Sequence, residues 1–255
     1  MQTQQQEQWL QDTRSFWDVE SVFEAKYRRI CSDAEIEATT DERVLEPLWR
    51  KRTQEEFAWL FDGIHLEPDW TCLEIGCGIG RLLKPVARCC RRVIGVDVSE
   101  QMVAHSRDYL SGVANAEVHL NDGRTLCMIP DDSVDLVYSH LAFQHMTTQE
   151  VVDGYLAEIV RILRPGGYCR IQCWREAPLP LSQRAKNFVR ILVGGKRYHG
   201  SRCWTWAPGK KVRFGGVTFH PRPWRRRLER HGLHVIAMQL GLGHDYWMWT
   251  TSRKP

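Results

Sequence analysis

The chain has 255 residues, a formal net charge of +4, and 43% hydrophobic and 26% charged residues. This suits one α/β domain with decorations, large enough to bury a core without disulfide or metal staples. No stretch approaches the roughly 18 uninterrupted apolar residues of a membrane span, and the polar opening Met1-Gln2-Thr3-Gln4-Gln5-Gln6 lacks the charged-then-apolar pattern of a signal peptide, so a cytoplasmic location is expected.

Residues 1–65 read as a helical cap. Phe16, Trp17, Val19, Val22, Phe23 and Tyr27 recur near helical spacing, and Leu45, Leu48 and Trp49 do so again before Phe57-Ala58-Trp59-Leu60-Phe61. Thr39-Thr40-Asp41 and Pro47 are expected to break this stretch into pieces. A second unit, 66–255, begins with the short apolar strand Thr71–Ile75, which runs into glycines. A helix through Leu82, Leu83, Val86 and Ala87 leads to the strand Arg92–Asp97. Ser99 is placed to cap the next helix, Glu100–Leu110. Strands follow at Glu117–Leu120 and Val134–Ser139, then a helix over Thr148–Leu163 that stops at Arg164-Pro165-Gly166-Gly167, then a strand over Tyr168–Trp174. The tail adds a helix from Pro223 to His231, a strand over Leu233–Met238 and a return strand at Tyr246–Thr250. Strands that alternate with helices pair in parallel through right-handed crossovers. The expected fold is therefore α/β and doubly wound.

The nine cysteines are odd in number and include no CxxC pair, and several fall in predicted strands (Cys72, Cys169, Cys173). They read as reduced, mostly buried thiols, and the spacing of Cys89-Cys90 is not that of a zinc site, so no metal is expected.

The chemistry starts at Glu74-Ile75-Gly76-Cys77-Gly78-Ile79-Gly80. A glycine turn between a first strand and a helix lets a ligand approach the backbone. A plain structural turn would use the same residues. A dinucleotide fingerprint needs its third glycine one place later, where this chain has Arg81. Asp97, which closes the second strand, can accept hydrogen bonds from a ribose diol, or simply serve the next helix. Asn121-Asp122-Gly123 can present a carboxylate to an adenine amine, and is also good turn chemistry.

Taken in order, these segments resemble the motifs of class I S-adenosylmethionine-dependent methyltransferases, of the methyltransferase domain 11/25-like kind. Leu73–Gly80 resembles their first motif, Val93–Ser99 the second and Asn121-Asp122-Gly123 the acidic motif on the adenine side. Tyr138–Met146 looks like their fourth-strand segment, and Arg161–Gly167 like the turn after it. The resemblance implies a Rossmann-like, mostly parallel seven-stranded sheet with the last strand antiparallel, and S-adenosylmethionine as cofactor. It also implies roles. Gly76, Cys77, Gly78 and Gly80 would let the methionine portion lie along the backbone, with Glu74 supporting the turn. Asp97 would hold the ribose hydroxyls, Val98 and Met102 would pack on adenine, Asp122 with Gly123 would meet its amine, and Ser139 and His140 would border the sulfonium.

Methyl transfer to an already nucleophilic acceptor needs mostly alignment, whereas an alcohol needs a base. His145 and His140 are the best-placed candidates, with Tyr27 and His220 as outsiders. Residues 176–220 form an insertion after the fifth strand, basic and aromatic (Arg184, Lys186, Arg190, Trp204, Trp206, Lys210, Lys211, Arg213), and from Arg184 to Arg230 the one acidic residue is Glu229. This segment fits a lid with solvated charges, a grip on an anionic small molecule, contact with an anionic membrane surface through 184–230, or nucleic-acid binding. The modest global charge argues against nucleic acid. The leading expectation is a methyltransferase acting on oxygen or nitrogen of a small or medium-sized acceptor, anionic or linked to a lipid or glycan. An RNA or protein methyltransferase, or a non-catalytic S-adenosylmethionine-binding module, remains as an alternative.

Overall fold

The computed structural model describes residues 2–18, 22–28, 39–146, 148–175, 204–205, 213–214 and 218–255. The chain opens with α1 (Gln2–Trp17), a π-helical turn at Glu24–Arg28 and α2 (Glu42–Leu60). Asp41 starts α2 by accepting the Arg43 N–H on its side chain. The break expected at Pro47 does not occur, because α2 runs through it. Proline there removes one early backbone donor, while the cap and the buried stripe Leu45, Trp49 and Leu60 hold the helix on both sides.

The central strands follow the predicted order: β1 (Thr71–Ile75), β2 (Arg92–Asp97), β3 (Ala116–Leu120), β4 (Val134–Ser139) and β5 (Leu163–Arg175). Between them lie α3 (Leu83–Val86), α4 (Glu100–Tyr109) and α5 (Gln149–Ile162). Ser99 caps α4 and Thr148 caps α5, each accepting a backbone N–H. Beyond β5 come three two-residue strands, β6 (Trp204–Thr205), β7 (Arg213–Phe214) and β8 (Thr218–Phe219). The chain ends with α6 (Pro221–Arg230), β9 (His234–Leu240) and β10 (Trp247–Arg253).

The strands run in the order β3-β2-β1-β4-β5-β10-β9. β1 to β5 pair in parallel, and β10 pairs antiparallel with both β5 and β9. The sheet holds eight strands rather than the expected seven, because β8 extends it beside the end of β5. Strand order reverses between β1 and β4, and in such sheets the crevice beyond the strand carboxyl ends at that reversal is where ligands sit. Every residue of β1 and β4 is buried, as expected of strands covered on both faces.

α2 is tied to the sheet by a buried cation. Arg170 of β5 is fully buried and donates to the Leu60 and Trp59 carbonyls at the end of α2, at 3.0 Å each. A third bond reaches Thr251 at 2.7 Å, and the guanidinium lies 5.0 Å from the Trp249 ring. A cation there satisfies carbonyls that have no partner within the helix.

Most of the basic, aromatic insertion, including Trp206, Lys210 and Lys211, lies outside the described residues. α6 leads into the last two strands, with Trp224 and Leu228 buried and the Trp224 indole donating to Thr250. No helix among the described residues is long and apolar enough to cross a membrane.

Candidate active site

A cavity of about 380 Å³ opens at the strand carboxyl ends. The loops after β1, β2, β3 and β4 all contribute to it, and α1 lies across it with Leu10, Thr13 and Trp17. Glu74, Gly76, Cys77, Gly78, Asp97, Val98, Met102, Gly123, His140 and His145 all line it.

The glycines have different tasks. A Cβ on Gly76 would stand 2.3 Å from the Cβ of Ala142, so Gly76 is required by the β4 loop that crosses it. A Cβ on Gly78, at φ +53°, would meet nothing within 4 Å. Gly78 is thus where the turn leaves its backbone open to a ligand. Gly80 is turned out of the cavity against Ser106, and Gly123 lies under Leu10. The Cys77 thiol is buried, which pushes its pKa well up and keeps it protonated.

Asp97 is buried at the end of β2. One carboxylate oxygen accepts the Gly78 N–H at 2.8 Å and the other the Ser99 N–H at 3.0 Å. A carboxylate has about four acceptor positions, so both oxygens retain capacity towards the cavity. Burial raises the Asp97 pKa against these bonds.

Asp122 does not line the cavity. Its carboxylate closes its own turn, accepting the Arg124 and Thr125 N–H groups at 2.8 and 2.7 Å and the Thr125 hydroxyl at 3.0 Å. Its neighbour Asn121 lines the cavity instead, held by the Tyr155 hydroxyl. Ser139 is likewise turned away, its hydroxyl donating to the Ile75 carbonyl at 2.8 Å and so pinning the end of β4 to that of β1. Of the outsiders, Tyr27 is buried with its hydroxyl donating to Glu46 at 3.0 Å, and His220 precedes α6 as its N-cap.

His140 is one arm of a buried charge cluster that sequence reasoning missed. Its Nε2 lies 2.8 Å from Oε2 of Glu56 on α2, and Glu56 also pairs with Arg81. The imidazole stacks on Trp249 at 5.2 Å and 11°. Burial opposes a charge on Glu56, but His140 and Arg81 outweigh it and hold the carboxyl down at about 2. Arg81 therefore clamps the glycine turn to α2, at the position that departs from the dinucleotide pattern.

Glu74 is the opposite case. Its Oε2 meets no donor among the described residues, and burial raises the carboxyl to about 8. A buried carboxyl with one oxygen unmatched beside an open glycine backbone fits a ligand that brings positive charge and hydrogen-bond donors, as the methionine end of S-adenosylmethionine does.

His145 lies on the short 3₁₀ turn Phe143–His145, half-buried and edge-on to Trp17 at 5.3 Å. Residues 73–171 match the family model described as a methyltransferase domain. That stretch is similar to the domains of S-adenosylmethionine-dependent methyltransferases. The chain is 34% identical over 111 residues to a 37.1 kDa protein in transposon TN4556 of Streptomyces fradiae, covering 42% of this chain and 31% of that protein. It is 30% identical over 132 residues to 2-methyl-6-phytyl-1,4-hydroquinone methyltransferase of a Synechocystis species, covering 50% of this chain and 40% of that enzyme. It thus spans well under half the length of these relatives. Among solved structures, the fold is similar to geranyl diphosphate C-methyltransferase from Streptomyces coelicolor, with a TM-score of 0.63 at 13% identity, covering 97% of this chain and 98% of that one.

Proposed function

We propose that this chain transfers the methyl group of S-adenosylmethionine to a small acceptor with a largely apolar body, held under α1. One observation carries the reading. The cavity lined by Gly78 and Asp97 also takes in Trp17, Met146 and His145, which supports a cofactor site and an apolar, aromatic acceptor site in one space.

In this reading Asp97 holds the ribose hydroxyls, Asn121 and Gly123 border the adenine with Val98 and Met102, and Glu74 faces the cationic methionine end. Asp122 acts through its turn, which presents Asn121. Bound S-adenosylmethionine supplies an activated methyl group. The chain's own residues align the acceptor with it, and such alignment accounts for much of the acceleration in transfers of this kind. Trp17 also excludes water from the acceptor end, and Leu10 covers the adenine side above Gly123. The similarity to enzymes named for a phytyl hydroquinone and for geranyl diphosphate supports an apolar acceptor body.

The test is transfer of a labelled methyl group to a panel of prenylated and aromatic acceptors, with Trp17→Ala beside the wild type. Loss of the indole is expected to raise the acceptor KM about tenfold, in keeping with the removal of one buried aromatic contact, with cofactor affinity changed less than threefold. Equal losses for both ligands would place Trp17 at the cofactor and remove the acceptor site from under α1.

A further inference from the structure

Two buried glutamines connect the backbone of the β4 loop to His145. Leu141, the first link, has a left-handed backbone at φ +61°, which a residue of its bulk rarely adopts. That conformation goes with a Leu141 N–H that donates to Oε1 of Gln172 on β5 at 2.8 Å. Gln172 Nε2 then donates to Oε1 of Gln144 at 3.1 Å, and Gln144 Nε2 lies 3.2 Å from Nε2 of His145. Gln144 and Gln172 are both buried.

The direction of the chain is fixed at its start. A backbone N–H can only donate, so Gln172 must turn its oxygen to Leu141 and its amide nitrogen to Gln144. Gln144 must then turn its oxygen to Gln172, which leaves its N–H groups facing His145. An amide N–H needs an acceptor, and an imidazole nitrogen accepts only when it carries no proton.

We infer that Gln144 and Gln172 are positioning residues that hold His145 as the neutral tautomer protonated on Nδ1, with its Nε2 lone pair engaged by Gln144. Protonating Nε2 would set two donors face to face inside the protein. His145 therefore does not take a proton from the acceptor through Nε2, and the acceptor must bring an atom that attacks without that help. This last step rests on the acceptor site proposed above; the position of the proton does not. Around the ring stand Trp17 of α1 and Trp174 of β5, at 5.3 and 6.5 Å. Glu150 of α5 is the carboxylate that lines the acceptor end of the same cavity.

The test is long-range proton–nitrogen NMR of the imidazoles in the full ¹⁵N-labelled chain, without cofactor, with His145→Phe used to assign the His145 signals among the 10 histidines. The wild type is expected to show Nδ1 protonated and Nε2 bare at pH 7. Gln172→Glu, which does not touch His145, should turn Gln144 over, move the proton to Nε2 and raise the His145 midpoint by about one unit or more. Gln144→Glu keeps the bond from Gln172 and should do the same directly. A wild type protonated on Nε2 overturns the inference whatever the variants do. So does a Gln172→Glu protein with the wild-type melting temperature and unchanged His145 signals. Neither reading requires methyl transfer, so failure here is separable from failure of the proposed function, which calorimetry with the cofactor measures.

Discussion

Glu56 and Glu74 are both buried carboxyls close to the glycine turn, yet their surroundings push them in opposite directions. Glu56 comes from α2 and finds His140 and Arg81, which hold it ionised. Glu74, next to last in β1, finds no donor for Oε2 among the described residues and is held up at about 8. The difference separates two tasks. At the seam with α2 the protein supplies Glu56 with partners of its own, and these pairs hold the helix on the turn. On the cavity floor it leaves a polar group unmatched, and an unmatched buried group is costly unless a ligand completes it.

The largest expected effect comes from breaking the matched side. Glu56→Gln leaves Arg81 buried without its counter-charge and should destabilise the chain by about 3–5 kcal/mol in urea unfolding. A loss under 1 kcal/mol would mean the cluster is solvated. The pH dependence has a definite sign. The folded pKa of Glu56 lies below its ordinary 4.5, so its contribution is present above that value and is lost as pH falls towards about 2.

Glu74 should behave in the reverse sense. Its folded pKa lies above 4.5, so it favours the fold at low pH and loses that contribution as pH rises through about 8. Glu74→Gln should therefore flatten the decline between about pH 4.5 and 8 and stabilise the cofactor-free chain at pH 9 by about 2 kcal/mol or more. It should also remove a proton release accompanying S-adenosylmethionine binding at pH 7, read by calorimetry in buffers of different ionisation enthalpy. Proton release that persists in Glu74→Gln would assign it to another group.

The smallest effect belongs to Asp122. Asp122→Ala loses turn bonds only and should lower stability by about 0.5–1.5 kcal/mol, seen as a modest fall in melting temperature. A loss above 3 kcal/mol would show that its turn carries more of the fold than these bonds account for.

The succession of strands and helices along the chain, the glycine turn and the placement of Asp97 were legible because each rests on local pattern: short apolar runs, glycines and capping residues. Pairings across the fold were not. Glu56 sits in Gln54-Glu55-Glu56, which reads as the wet side of a helix, and its partners lie 25 and 84 residues away. Arg170 and Gln172 alternate with Cys169, Ile171 and Cys173, a pattern that reads as one solvated strand face. Both are fully buried because α2 and the β4 loop bring them partners. Asn121 and Asp122 are adjacent, and only the backbone path of the turn decides which of them faces the cavity. The strained φ of Leu141, which begins the chain to His145, has no sequence signature.

The most direct test of the whole account is calorimetric titration of S-adenosylhomocysteine into the wild type, Asp97→Ala and Asp122→Ala. Asp97 is expected to make charge-assisted bonds to the ligand, and losing them should weaken binding about 100-fold. Asp122→Ala should stay within threefold of the wild type. Unchanged affinity in a folded Asp97→Ala protein would contradict the assignment of this cavity to the cofactor.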